Sequence, residues 1–244
     1  MAALGMAGAY DRAITVFSPQ GRLYQVEYAL ETVKSGSTSV GIRVDEGVVL
    51  AVEERAHSKL QAPTYSQKLF QIDLHIGAAA SGLISDARVL VDSARIYAQS
   101  YRLTFDELPS VESVAKRIGD LMQLYTQHGG VRPFGVALLI GGSSVDGTRL
   151  FYTEPSGVVL EYKAWSIGRG AEKVKEILEA TYDSKMSLEE AKRLAISALV
   201  RSVDKIDQNW KARMVVIPTD TKTYTMVPDE EINALIEEVL KSGR

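Results

Sequence analysis

The clearest candidate for a chemical motif is the segment Gly168-Arg169-Gly170, which precedes a predicted helix. Dinucleotide-binding sites begin in this way, because glycines let the backbone approach a pyrophosphate at a helix N-terminus. Here Lys173 stands where the third glycine would be, and no parallel strand–helix–strand unit surrounds the segment. We therefore interpret these residues as a glycine turn that starts a helix.

Other motifs of catalysis and metal binding are missing from the sequence. There is no cysteine, which excludes disulfides, thiolate metal sites and a cysteine nucleophile. Neither a G-x-S-x-G elbow nor a phosphate loop occurs. Three histidines are too scattered to indicate a zinc site: His57, His75 and His128. We expect no cofactor and no metal.

Composition and charge narrow the class of protein. The 244 residues are 45% hydrophobic and 24% charged, which is ordinary for a globular protein that buries a large core. Lys and Arg number 28 against 31 Asp and Glu, and the net charge of -3 predicts no nucleic-acid partner. The longest uncharged run, residues 133–145, is too short to span a membrane, so no membrane contact is expected.

The organisation of the chain indicates one domain over residues 1–244. No Pro- or Ser-rich linker and no solenoid repeat interrupts the sequence. The opening segment, MAALGMAGAY, contains an Ala-x-Ala-like site, but no Lys or Arg precedes its short, glycine-broken apolar run. We therefore expect no signal peptide there.

Hydrophobic periodicity predicts the elements that must position any site. Apolar residues from Leu23 to Val33 recur at spacings of three and four, which predicts a helix over 20–35 that stops at Gly36. Residues 48–52 are almost continuously apolar, so this strand should be covered on both faces and form a hairpin with 40–44 through a three-residue connection. Further strands are expected at 70–73, 76–80, 135–140, 149–153, 158–162, 213–217 and 223–227, and further helices at 83–101, 111–125, 171–182, 187–198 and 232–240.

The order of these elements predicts the fold class. Blocks of antiparallel strands are separated by pairs of helices, which favours an α+β protein over a parallel sheet. Two sheets stacked face to face, with helix pairs outside, would bury every apolar stripe.

One local pattern is specific enough to suggest a family. Residues 10–29, YDRAITVFSPQGRLYQVEYA, closely resemble the N-terminal signature of α-type subunits of the 20S proteasome. The resemblance continues through GST at 36–38, QKLFQI at 67–72, GLxxDAR at 82–88 and GVRPFG at 130–135. It runs over nearly the whole chain, and the acidic charge balance and lack of cysteine are more similar to archaeal than to eukaryotic subunits.

The resemblance implies a fold and a role. The fold is the four-layer α-β-β-α sandwich of two antiparallel sheets found in N-terminal-nucleophile hydrolases, here over residues 37–244, with an N-terminal helical extension. The role is that of a non-catalytic cytoplasmic subunit, seven of which form the outer ring and stack on proteolytic β subunits. Other implied partners are unfolded polypeptide in transit and an AAA+ activating ATPase, whose C-terminal hydrophobic-Tyr-any tails dock on the ring.

Site residues are carried over from the resemblance position by position. Residues 1–12 match the tail that closes the pore, and the gating residues are Tyr10, Asp11, Arg12, Pro19 and Tyr28. The activator-docking pocket between neighbouring subunits is matched by Gly21, Glu27, Gly36 and Lys68. The loop that narrows the axial pore is matched by Gly129, Gly130, Val131, Arg132 and Pro133.

Two alternatives stay open. By register with the catalytic β subunits, Ser37 falls at the nucleophile, Glu53 near the catalytic acid and Lys68 at the catalytic lysine. A self-processing peptidase would therefore cleave between Gly36 and Ser37, although an internal Ser37 has no free amine to act as base. The other alternative is a structural ring protein without a gate. From residue type alone, Lys68 would be a solvated surface lysine.

Overall fold

The computed structural model describes residues 15–55, 60, 66–207 and 209–242. The predicted gating tail of residues 1–12 lies outside these residues, together with Tyr10, Asp11 and Arg12. His57 lies outside them as well.

The described residues form helices and strands close to the predicted positions. In chain order they are α1 (Tyr24–Ser35), β1 (Ser39–Val44), β2 (Gly47–Arg55), β3 (Leu69–Asp73), β4 (Ile76–Gly82), α2 (Ile84–Phe105), α3 (Val111–Gln127), β5 (Val136–Ser144), β6 (Gly147–Thr153), β7 (Val159–Glu161), β8 (Ala164–Ile167), α4 (Ala171–Thr181), α5 (Leu188–Ser202), β9 (Trp210–Pro218), β10 (Thr225–Met226) and α6 (Asp229–Ser242).

The strands form two antiparallel sheets, as predicted. One sheet has the order β10-β9-β2-β1-β8 and the other β3-β4-β5-β6-β7. The β1–β2 hairpin differs in detail from the prediction: Val44 pairs with Gly47, so two residues rather than three make the connection. The strand predicted at 158–162 is β7, and a strand that was not predicted, β8, follows it and joins the opposite sheet beside β1.

Three apolar clusters define the layers of the sandwich. The first lies between one sheet and the helices α4, α5 and α6, and the second lies between the other sheet and the helices α2 and α3. The third lies between the sheets and contains Val48, Leu50, Val52, Ala79, Leu139, Leu150 and Val215, among others. This arrangement of helices, sheet, sheet and helices confirms the predicted four-layer α+β sandwich.

Strand β2 shows why an almost continuously apolar segment is needed at the centre. Because side chains alternate along a strand, Val49 and Ala51 face the helices whereas Val48, Leu50 and Val52 face the other sheet. All five are completely buried, which confirms the prediction that this strand is covered on both faces.

Helix α1 begins at Tyr24, four residues later than predicted. The residues before it form a turn instead, in which the Gly21 N–H donates to the Ser18 carbonyl at 2.8 Å. Pro19, the second residue of that turn, suits a position whose φ must be near its fixed value. The buried side of the helix consists of Val26, Ala29 and Val33.

Helix α5 begins as the sequence predicts. Ser187 and Glu190 form a capping box in which each side chain satisfies a backbone N–H of the other residue. In the described part of the chain, no helix is long and apolar enough to cross a membrane.

Candidate functional site

The best-defined polar cluster surrounds the amine of Lys68. Residue type alone predicts a solvated surface lysine, but Lys68 is buried. The Lys68 Nζ donates to the Ser37 hydroxyl at 2.8 Å and to the carbonyl oxygens of Ser37 at 2.7 Å, Thr38 at 3.2 Å and Glu53 at 3.2 Å. Burial lowers the pKa of Lys68 to about 7, so ammonium and neutral amine are both populated near neutral pH.

The ends of three elements bring these groups together. Ser37 lies in the short connection between α1 and β1, and Glu53 lies near the end of β2. The Glu53 N–H donates to the Thr38 carbonyl at 2.8 Å, which extends the pairing of β1 with β2. Lys68 immediately precedes β3 in the other sheet, so its side chain links the two sheets at one end of the sandwich.

The carboxylate of Glu53 is held by groups on three sides. It accepts from the Thr38 N–H at 3.3 Å, from Arg55 Nε at 3.2 Å and from Arg169 Nη2 at 3.1 Å. Because Glu53 is only 1% exposed, these partners offset the cost of burying its charge.

The backbone on both sides of Ser37 is held by hydrogen bonds. The carbonyl of Gly36 accepts from the Arg169 N–H at 2.8 Å, and the carbonyl of Ser37 accepts from the Ser81 hydroxyl at 3.0 Å. A Cβ on Gly36 would lie 2.5 Å from the backbone nitrogen of Gly82, so only glycine fits at this close approach.

Arg169 and Ser81 are site residues that the sequence did not reveal. The interpretation of Gly168-Arg169-Gly170 as the turn before a helix is consistent with helix α4, which begins at Ala171. Arg169 also contributes its backbone N–H and its guanidinium to the cluster. No short motif signals these contacts, because Arg169 meets Glu53 across 116 positions of sequence.

A cleft of about 540 Å³ adjoins this cluster. Its lining includes Thr38, Arg169 and Gly170. Two further cations of the lining already have carboxylate partners, in the pairs Arg55–Asp207 at 3.7 Å and Lys173–Asp204 at 3.0 Å. Among the residues that the structure describes, no group of three or more carboxylate, histidine or cysteine side chains could hold a metal ion.

The predicted docking residues fall at two ends of α1. Glu27 lies in the first turn, where Arg22 Nε donates to its carboxylate at 2.7 Å, while Gly36 follows the last turn. Gly36 lies nine positions after Glu27, which corresponds to about 13 Å along the helix axis. Within one chain, Gly36 and Lys68 meet through Ser37, whereas Gly21 and Glu27 belong to the other end.

Two further predicted segments lie at the surface. Tyr28, which faces outward from α1, is 50% exposed. The predicted pore loop follows α3, and its first part is open: a Cβ on Gly129 or Gly130 would meet no atom within 4 Å. Arg132, in the second part, binds the carboxylate of Asp86 at the start of α2.

Comparison with known proteins assigns a family to this arrangement. Residues 33–217 match the family model described as "Proteasome subunit", and residues 10–31 match the model for the N-terminal signature of alpha-type proteasome subunits. The chain is 51% identical to "Proteasome subunit alpha" of Methanothermobacter thermautotrophicus, over 95% of this chain and 93% of that protein. It is 52% identical to the protein of the same name from Methanocaldococcus jannaschii, over 95% of this chain and 88% of the other.

Proposed function

The chain belongs to the proteasome subunit family and is of its alpha type, and we propose that it is a non-catalytic, gating subunit of the core particle. Seven copies form the outer ring, which stacks on proteolytic β subunits in the cytoplasm. The ring admits unfolded polypeptide and docks an AAA+ ATPase through that partner's C-terminal hydrophobic-Tyr-any tails.

The internal position of Ser37 carries the proposal. An N-terminal nucleophile is activated by its own free amine, but the nitrogen of Ser37 is bonded to Gly36. The preceding helix is packed against the sandwich through Val26, Ala29 and Val33 and is not a detached leader. Ser37 therefore lacks the activating group, and we assign catalysis to the β subunits.

The gate is proposed to consist of the tail and the turn that carries it. Residues 1–12, with Tyr10, Asp11 and Arg12, form the tail, and Pro19 stands in the turn that joins it to α1. This turn is closed by the Gly21 N–H and by a second bond from the Ser18 N–H to the Arg22 carbonyl at 2.9 Å. A hydrogen-bonded turn fixes the direction in which the tail leaves the sandwich.

Docking is proposed to involve both ends of α1 in neighbouring subunits. Within one chain the two pairs of residues lie at opposite ends of α1. The pocket would therefore be formed by Gly36 and Lys68 of one chain together with Gly21 and Glu27 of the next. The ammonium of Lys68 is the cation that a terminal carboxylate requires, and backbone amides could complete its capture. The four atoms that accept from Lys68 Nζ are neutral oxygens, and the charges of Glu53 and Glu54 favour its ammonium form, so an arriving carboxylate would be its first directly bonded charged partner.

Deletion of residues 2–12 tests the gate in the assembled α/β particle. We expect faster hydrolysis of a short fluorogenic peptide, with unchanged ring assembly in native mass spectrometry. An unchanged rate in assembled particles would favour the structural ring protein without a gate.

One observation supports the alternative function, a self-processing peptidase: Ser37 Oγ lies 2.8 Å from Lys68 Nζ. A buried lysine whose pKa lies near 7 is a chemically reasonable base for a serine hydroxyl. The intact mass separates the two functions. The full 26.7 kDa chain in the mature particle supports the gating subunit, whereas loss of residues 1–36 would support the peptidase.

A further inference from the structure

The segment between α3 and β5 has one open part and one anchored part. In the open part, Gly130 has φ +86° and an added Cβ would meet nothing within 4 Å. Val131 is 36% exposed. In the anchored part, Phe134 is buried, and its ring packs on Tyr125 with centroids 4.5 Å apart.

A single carboxylate holds the anchored part from outside the segment. Asp86 accepts from Arg132 Nη1 at 2.6 Å and Nη2 at 2.9 Å, and from the Gly135 N–H at 2.9 Å. A bidentate pair with arginine fixes the direction of the guanidinium as well as its distance. Asp86 therefore determines both where residue 132 lies and how it is oriented.

The carboxylate of Asp86 is suited to this role. It lies in the first turn of α2, where the helix dipole favours negative charge, and it is only 8% exposed. Burial opposes its ionisation, but the hydrogen bonds from Arg132 and from the Gly135 N–H outweigh burial and hold the pKa of Asp86 below its usual value. The carboxylate thus stays charged throughout the neutral range.

The same place joins the loop to two other elements. The Leu83 N–H donates to the Gly135 carbonyl at 2.8 Å, which ties the loop to the residue before α2. A Cβ on Gly135 would lie 3.2 Å from the hydroxyl of Thr32 in α1. These contacts hold the base of the loop, and the Asp86–Arg132 pair is adjacent to the open residues 129–131 on the side of β5.

We infer that Asp86 is a positioning residue for the pore loop. Its carboxylate sets the angle at which residues 129–133 project and thereby the size of polypeptide that the channel passes. This inference rests on the proposed function, in which these residues narrow the axial pore. Because Phe134 and Leu83 hold the base independently, loss of the clamp releases residues 129–133 and leaves the sandwich intact.

The test uses the assembled α/β particle without residues 2–12, so that the tail does not limit passage. Asp86→Asn removes the charge, which shifts the equilibrium between the held and the released loop by about tenfold or more. Two substrates are compared: an unfolded linear polypeptide, and the same polypeptide closed into a loop by a disulfide. We expect relative degradation of the looped substrate to rise, with hydrolysis of a short peptide unchanged.

Two further variants identify the clamp as the cause. Arg132→Gln should reproduce the effect, and the double variant should match either single variant, because both changes break one interaction. Arg132 is the more exposed partner, so this variant carries the test if Asp86→Asn fails to assemble. Asp92→Asn is the matched control: this residue pairs with Arg95 at 2.9 Å on the exposed side of the same helix, and we expect no change.

A variant at the tip of the loop separates failure of this inference from failure of the proposed function. Val131→Trp should slow degradation of the linear polypeptide if the loop lines the channel. If it slows degradation but the Asp86 and Arg132 variants keep the original size discrimination, the positioning role is wrong. If Val131→Trp has no effect, the loop does not narrow the pore, and both the proposed pore loop and the inference are overturned.

Discussion

Lys68 is buried, whereas a lysine is expected from its residue type to be exposed to solvent. The amine is buried between the ends of β1, β2 and β3, and three of its four oxygen partners are backbone carbonyls. Every residue carries a backbone carbonyl, so the sequence does not show which carbonyls will accept from a lysine. Residue type alone therefore predicts a solvated surface lysine. The family resemblance predicts a docking role for Lys68, and the structure shows that its amine is buried among oxygen acceptors.

The lowered pKa of Lys68 predicts a pH dependence of docking. A carboxylate binds the ammonium form, so binding takes up a proton above pH 7 and weakens as the pH rises. Affinity for a peptide ending in hydrophobic-Tyr-any should fall by up to about tenfold for each pH unit above 7. Fluorescence anisotropy on the assembled ring, between about pH 6 and pH 9, measures this dependence.

Two substitutions make the pH measurement specific. Lys68→Arg keeps its charge over the whole range, so any binding that remains should not vary with pH. Lys192 is a second buried lysine, which pairs with Glu189 on the same helix and with Glu231 on α6. Lys192→Met should destabilise the subunit yet keep the original slope. An equal slope in the Lys68→Arg ring would assign the titration to another group.

At the scale of elements, apolar periodicity predicts the long helices well and the short segments poorly. The stripe from Leu83 to Tyr101 locates α2 because it persists for several turns. The start of α1 is predicted too early because the hydrogen bonds of the preceding turn compete with helix formation. Strand β8 is missed because a strand of four residues is too short to show a period.

The turn before α1 gives a prediction about the gate. Gly21 has φ +74° and open space around an added Cβ, so Gly21→Ala costs about 1 kcal/mol through backbone strain alone. That strain should alter the turn and raise peptide hydrolysis by the assembled particle. The rate measured against the unmodified particle checks this expectation.

Gly147 provides the matched control for that variant. It has φ +86°, also with open space around an added Cβ, but lies in the β5–β6 hairpin. Gly147→Ala should lower the thermal midpoint by a similar amount and leave the hydrolysis rate unchanged. Equal rates in the two variants would show that the turn does not set the gate.

The whole molecule depends on the close stacking of its two sheets. Gly41 and Gly141 lie on opposite sheets, and an added Cβ at either would meet the side chains of Leu150 and Leu50. The sequence predicts two stacked sheets but not this contact of glycines with leucines, because which side chains face the glycines depends on the tertiary register of the sheets. The space available to side chains between the sheets is therefore limited by residues that are far apart in the chain.

The close approach of Gly41 to Leu150 predicts that a larger residue at position 41 lowers the free energy of unfolding through packing alone. A Cβ on Gly41 would lie 2.8 Å from a methyl carbon of Leu150, so Gly41→Ala should cost about 1–3 kcal/mol through overpacking. Chemical denaturation of the isolated subunit measures the free energy of unfolding. Gly129→Ala, where an added Cβ has open space, is the control and should change it little. A similar loss in both variants would remove the packing explanation.

The central position of β2 also affects how fast its amide hydrogens exchange with solvent. Its backbone is paired on one side with β1 and on the other with β9, and its side chains are buried against both the helices and the second sheet. No local opening can expose Val48–Val52 to water without separating both layers. The amide hydrogens of these residues should therefore exchange with deuterium only when the whole subunit unfolds, while those of β10 at the sheet edge exchange through small fluctuations.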